Sequence, residues 1–141
     1  MTAVHEQVVL DMISTFENGW PENLDKTMSY VADDAYYQMI VPVTEPIRGK
    51  AAIRAEIQGM IHKYQSNKSD VLTIASNDRF VFTERLDAAL SEQGWTKIPL
   101  VAVFELNAAN KIIAWREYLD LGSVIKQQGI ENVFGINKNH L

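Results

Sequence analysis

Apolar positions along the chain change their spacing about halfway. Near the start, Val8, Val9, Met12, Ile13 and Phe16 fall on one helical face, a pattern that ends near Gly19-Trp20-Pro21. A short second helix is expected after Pro21, with Leu24, Met28 and Val31 turned inward. Asp33-Asp34 breaks the pattern ahead of an aromatic strand from Ala35 to Val41. Pro42, Pro46 and Gly49 then mark an irregular loop. A third helix is predicted from about Lys50 to Gln65, with Ile53, Ile57, Met60, Ile61 and Tyr64 on one face. Past the polar break Ser66-Asn67-Lys68-Ser69-Asp70, the period becomes that of strands: Val71 to Ala75, Arg79 to Ala88, Lys97 to Leu106 and Lys111 to Leu119. Short turns at Ser76-Asn77-Asp78 and Asn107-Ala108-Ala109-Asn110 separate them. A last short helix is expected over Gly122 to Gln128.

Helices first and consecutive strands afterwards predict an α+β fold with a mainly antiparallel sheet. Covered on one face by the early helices, such a sheet curls into a cone around one deep apolar pocket. The length of 141 residues suits a single domain over 1–141. No repeat or linker interrupts it.

Composition narrows the chemistry. With no cysteine, a disulfide framework, a thiolate metal site and a cysteine nucleophile are excluded together. The formal net charge of −5 argues against nucleic acid as a partner. The longest apolar run, Ile98 to Phe104, is far too short to span a bilayer, and the first residues lack the pattern of a signal peptide. The expectation is a cytoplasmic protein with no membrane partner. His5, His62 and His140 lack metal-ligand spacing and read as surface residues. Neither a glycine-rich phosphate loop nor a Gly-x-Ser-x-Gly elbow is present. No cofactor is expected, which leaves carboxylates, arginine and tyrosine.

Those residues interrupt strands that are otherwise apolar. Alternation puts Arg85 and Asp87 on one face of their strand, and Trp115, Glu117 and Leu119 on one face of theirs. Tyr37, Met39 and Val41 share a face of the first strand. If these faces look inward, the cavity holds two carboxyl groups, one guanidinium and one phenol. The arginine compensates one carboxylate, while burial and mutual repulsion favour a proton on the other. That is an acid beside a base, the pair that general acid–base catalysis requires. Alternation does not name the interior face, however, and a solvated Arg85–Asp87 ion pair with an outward Glu117 fits the same pattern. Asp33, Asp34, Glu45 and Asp120 read as turn or capping residues.

Tyr37-Gln38, Thr83-Glu84-Arg85-Leu86-Asp87 and Trp115-Arg116-Glu117-Tyr118-Leu119-Asp120 together resemble limonene-1,2-epoxide hydrolase and its relatives, over roughly Val8 to Val124. The resemblance implies the fold of nuclear transport factor 2, shared with ketosteroid isomerase and SnoaL-type polyketide cyclases. It also implies a homodimer that opens an epoxide in one step. Carried over by position, Asp87 is the acid, Arg85 the bridge between the carboxyl groups and Tyr37 the holder of the water. Glu117 is the base, where the family normally has aspartate. The family's water-holding asparagine falls on Met39. Met39, Met60, Leu100, Phe104, Trp115 and Leu119 are expected to line a pocket for a hydrophobic small molecule, alongside Met12, Phe16 and Ile57. An isomerase or cyclase using the same carboxylates, and a non-catalytic binding protein of this fold, are the alternatives.

Overall fold

In the computed structural model, which describes residues 3–128 and the strand pair 132–133 and 136–137, the helices and strands follow the expected order. Helix α1 (Val4–Ser14) buries Val9, Met12 and Ile13, and α2 (Leu24–Met28) buries Leu24, Thr27 and Met28. The apolar stripe of α1 outlasts its helix, because Phe16 lies in the turns that follow Ser14. Strand β1 (Val31–Gln38) leads to a two-residue strand β2 (Ile47–Arg48) and then to α3 (Lys50–Lys63). Four long strands follow: β3 (Ser66–Ser76), β4 (Phe80–Ser91), β5 (Gly94–Leu106) and β6 (Ile112–Leu119). Helix α4 (Leu121–Gln128) comes next, its start capped by Asp120 Oδ1, which accepts from the Ser123 N–H at 3.2 Å. A small antiparallel pair, β7 (Asn132–Val133) and β8 (Ile136–Asn137), ends the described structure.

The six strands β1 to β6 form one curved, unclosed sheet in the order β2-β1-β6-β5-β4-β3. Every neighbouring pair is antiparallel except β1 with β6, which run parallel. The α+β cone is therefore the observed architecture. Its core joins Val9, Met12, Met28, Ile53 and Ile57 from the helices to Val81, Ala102, Phe104 and Ile112 from the sheet. The order is that of a hairpin meander, β3 to β6, with the N-terminal strand returning along β6. This places β1, β4 and β6, the three strands carrying Tyr37, Arg85 and Glu117, around one concave wall.

Several segments depart from expectation. The first strand begins at Val31, expected in the second helix, and ends at Gln38, so Met39 and Val41 lie in the bend and turn that follow it. The Asp33-Asp34 pair does not break the chain before the first strand but lies inside β1. The β1–β6 register shifts between Val31 and Tyr36, so the two aspartates point to solvent at an irregularity in the ladder. The polar stretch from Ser66 to Asp70 is not a break either. It is the first half of β3, paired residue by residue with Leu90 back to Leu86. An edge strand with one solvated side tolerates polar residues that a central strand would not. His140 lies outside the described residues.

Candidate functional site

Strand alternation now acquires an interior. In β4, Val81, Thr83 and Arg85 are buried while Phe82 and Glu84 face out. In β6, Trp115 and Glu117 are buried and Tyr118 is exposed. The register pairs Arg85 with Leu100, and Leu100 with Leu119, so the guanidinium and the Glu117 carboxyl meet across the intervening β5. Tyr37 of β1 pairs directly with Trp115 of β6, and their rings stack with centroids 4.0 Å apart.

The four polar groups form one connected network. Arg85 binds Asp87 through two donors, Nε to Oδ1 at 3.1 Å and Nη2 to Oδ2 at 2.9 Å. The same Nη2 donates to Glu117 Oε2 at 2.8 Å, and Nη1 donates to Thr83 Oγ1 at 3.2 Å. The Tyr37 hydroxyl donates to Glu117 Oε1 at 2.9 Å. Arg85 thus holds both carboxyl groups in a planar fork, a geometry that lysine cannot reproduce. Thr83 is a member of the network that strand patterning alone does not single out. Its place two residues before Arg85, on the same face, is the signal that could have found it.

Burial sets the proton affinities. Glu117 has its pKa raised above the ordinary glutamate value, first by burial, with the Arg85 charge opposing and Asp87 adding to the rise. Tyr37 is pushed well above the usual phenol, again by burial first and then by the adjacent Glu117. For Arg85, burial works against the charge. The two carboxylates more than offset it, and the guanidinium stays protonated.

A cavity of about 100 Å³ opens onto this network. Tyr37, Met39, Met60, Arg85, Asp87, Leu100, Trp115, Glu117 and Leu119 all line it, and with Phe16 ten of the thirteen residues singled out from the sequence share one wall. Phe104 does not. It is fully buried behind the wall, with its ring stacked on Trp115 at 5.8 Å, because its β5 position faces the core beneath the indole. Met12 and Ile57 are likewise core, whereas Phe16 reaches the cavity. Beyond the expected residues the wall includes Trp20, Tyr64, Asn67, Ser69 and Ile98. Trp20 lies in the turn after α1, and Asn67 and Ser69 in the polar half of β3. Among the described residues, no group of three or more His, Asp or Glu is placed to hold a metal ion, and no helix is long and apolar enough to cross a membrane.

Comparison with known proteins places this geometry. The model of the limonene-1,2-epoxide hydrolase catalytic domain matches residues 6–129. Among solved structures, an epoxide hydrolase of M. tuberculosis like limonene-1,2-epoxide hydrolase superposes with a TM-score of 0.76 at 22% identity, covering 88% of each chain. A proposed SnoaL-like polyketide cyclase from Shewanella denitrificans superposes with a TM-score of 0.79 at 12% identity, covering 91% of this chain and 98% of its own. A protein of unknown function from Burkholderia pseudomallei, like nuclear transport factor 2, gives 0.79 at 10% identity, covering 92% and 100%. At these identities the structures speak for the fold alone.

Proposed function

The chain belongs to the limonene-1,2-epoxide hydrolase family, and we propose that it opens the epoxide of a hydrophobic small molecule to a diol in one acid–base step. The observation that carries this is the Asp87–Arg85–Glu117 bridge facing an apolar cavity. Asp87 is the acid: its carboxyl gives a proton to the epoxide oxygen as the C–O bond breaks. Glu117 is the base: it takes a proton from a water that forms the new C–O bond to the carbon. Tyr37, bonded to Glu117, fixes that carboxylate and offers its hydroxyl oxygen to the water. Arg85 spans both carboxyl groups, so the proton lost by one side and gained by the other is balanced across a single cation. Glu117 has a raised proton affinity, which makes it a better base for water than an ordinary carboxylate. Turnover of a panel of hydrophobic epoxides is expected to give diols. In both Asp87→Asn and Glu117→Gln, kcat/KM should fall by about 100-fold or more, as loss of a general acid or base commonly does. Absence of diol from every epoxide overturns the proposal.

One observation favours a second function. The cavity wall beside Tyr37 and Glu117 holds Met39, a side chain that cannot anchor a water by a strong hydrogen bond. Without a second anchor for water, the same carboxyl pair suits proton transfer within a substrate, as in an isomerase or cyclase. An isomerised or cyclised product in place of a diol separates the two.

The protein is further proposed to act as a homodimer in the cytoplasm. The outer sheet face supports the pairing: Leu72, Leu86, Pro99, Val101 and Tyr118 form a shallow groove there, with Glu84 and Asp120 also in its lining.

A further inference from the structure

The cavity wall is chemically lopsided. On the side of α1, α3 and the central strands it is Phe16, Trp20, Met60, Leu100, Trp115 and Leu119. On the side of β3 it is Asn67 and Ser69, two uncharged polar residues on one face of a single strand. Register fixes where they sit. Ser69 lies directly across from Asp87, and Asn67 across from Ala89, so Cβ atoms within each pair are about 5 Å apart. Ala88 and Ala89 are small and also line the cavity, which leaves the Asn67 carboxamide open to it. Among the described residues, neither side chain has a hydrogen-bond partner. Besides its place in the β3–β4 ladder, Ser69 donates its backbone N–H to Glu17 Oε2 at 3.3 Å.

Both residues are half-buried. A ligand filling the cavity strips water from them, and a pure hydrocarbon returns nothing in exchange. An unpaired polar group then opposes binding, whereas a ligand oxygen at that place restores the bond. A site with polar groups so placed discriminates against analogues that lack the matching group. We infer that the substrate carries a hydroxyl or similar hydrogen-bonding oxygen group next to its reacting bond, received by Asn67 and Ser69 beside Asp87. The choice of an epoxide as the reacting group rests on the proposed hydrolase function; the polar strip itself does not.

Unreactive diol and triol probes keep the two apart. By titration calorimetry, cyclohexane-1,2,3-triol is expected to bind the protein about 5-fold or more tightly than cyclohexane-1,2-diol, the worth of one or two net hydrogen bonds. In Asn67→Leu and Ser69→Ala the advantage should shrink, and in the double variant it should disappear. Equal affinities, no measurable binding of the triol, or a preference that survives the double substitution overturns the inference. If the triol preference holds but no epoxide gives a diol, the hydrolase function falls and the inference stands. If diols form and the affinities are equal, the inference alone falls.

Discussion

At Glu117, chemistry and stability pull in opposite directions. Its carboxyl is enclosed by Tyr37, Trp115 and Arg85, and burial raises its proton affinity in the folded chain above that of the unfolded chain. The folded state therefore holds this proton more tightly. The stability it gains is fully present below the ordinary glutamate value and is lost as the pH rises through the folded value. Glutamine in its place keeps an oxygen for Arg85 and an amide for the Tyr37 oxygen, with no charge to bury. Glu117→Gln is expected to raise Tm at pH 7.5 by roughly 2–5 °C, while at pH 4 the two proteins should melt closer together. Thermal melts across that range check both halves. The same substitution removes the base, so the variant gains stability where it loses turnover. In the active protein, the acidic limb of the kcat/KM profile should sit above the pKa of an ordinary glutamate. Arg85, Asp87, Glu117 and Tyr37 are legible in the sequence because they interrupt apolar strands. A charge with that alternation has few places to go except a cavity or the open face. Alternation cannot supply the identity of the face, which depends on where α1 and α3 come to rest.

Element boundaries show why some of the wall is harder to see. Apolar periodicity finds α3 and the central strands because burial fixes their pattern. Asn67 and Ser69 sit in a stretch that reads as a connection, since an edge strand is held by its ladder to β4 and has no need of apolar side chains on both faces. Phe104 shows the reverse error: an inward apolar position in β5 that serves the core under Trp115 and not the ligand. The junction of β2 with α3 is governed by backbone geometry. Gly49 adopts φ 91° and ψ 142°, a conformation that L side chains rarely take, though a Cβ there would meet nothing within 4 Å. Its N–H donates to the Ala35 carbonyl at 2.7 Å, and its own carbonyl accepts from Ile53 N–H at 3.0 Å. One residue thus ties β1 to the start of α3, the helix that brings Met60 to the cavity. Gly49→Ala is expected to cost about 1–3 kcal/mol from backbone strain with no steric clash. Denaturant unfolding measures it, and a change within ~0.3 kcal/mol would show that the junction relaxes freely.

At the scale of the whole molecule, the sheet has two faces, and among the described residues only the concave one is covered. The concave face meets the helices and the cavity. On the convex face Leu72 is 62% exposed, and Val101 and Tyr118 are each 43% exposed, on three different strands of the sheet. Leu86 and Pro99 lie in the same groove, and the apolar strip is interrupted by Glu84, the ladder partner of Val101; exposed apolar side chains gathered on one sheet face mark a place of association. The proposed occupant is a second copy of the chain, joined by a two-fold contact in which each face meets its equal, with about 800 Å² buried per partner for a stable pair. Such a contact also bears on the site. Tyr118 and Leu86 on the outer face alternate with Glu117, Arg85 and Asp87 on the inner one, so clamping the convex face stiffens the strands that hold the carboxyl bridge. Val101→Glu adds a second carboxylate beside Glu84, its ladder partner, without touching the cavity, and the like charges of two copies would face each other across the two-fold contact. Light scattering on the eluted protein should show the mass falling from that of a pair to that of one chain. Activity per chain should fall with it at concentrations where the pair has dissociated. A wild-type protein that elutes as a single chain at all concentrations would remove the dimer and leave the exposed face to another partner.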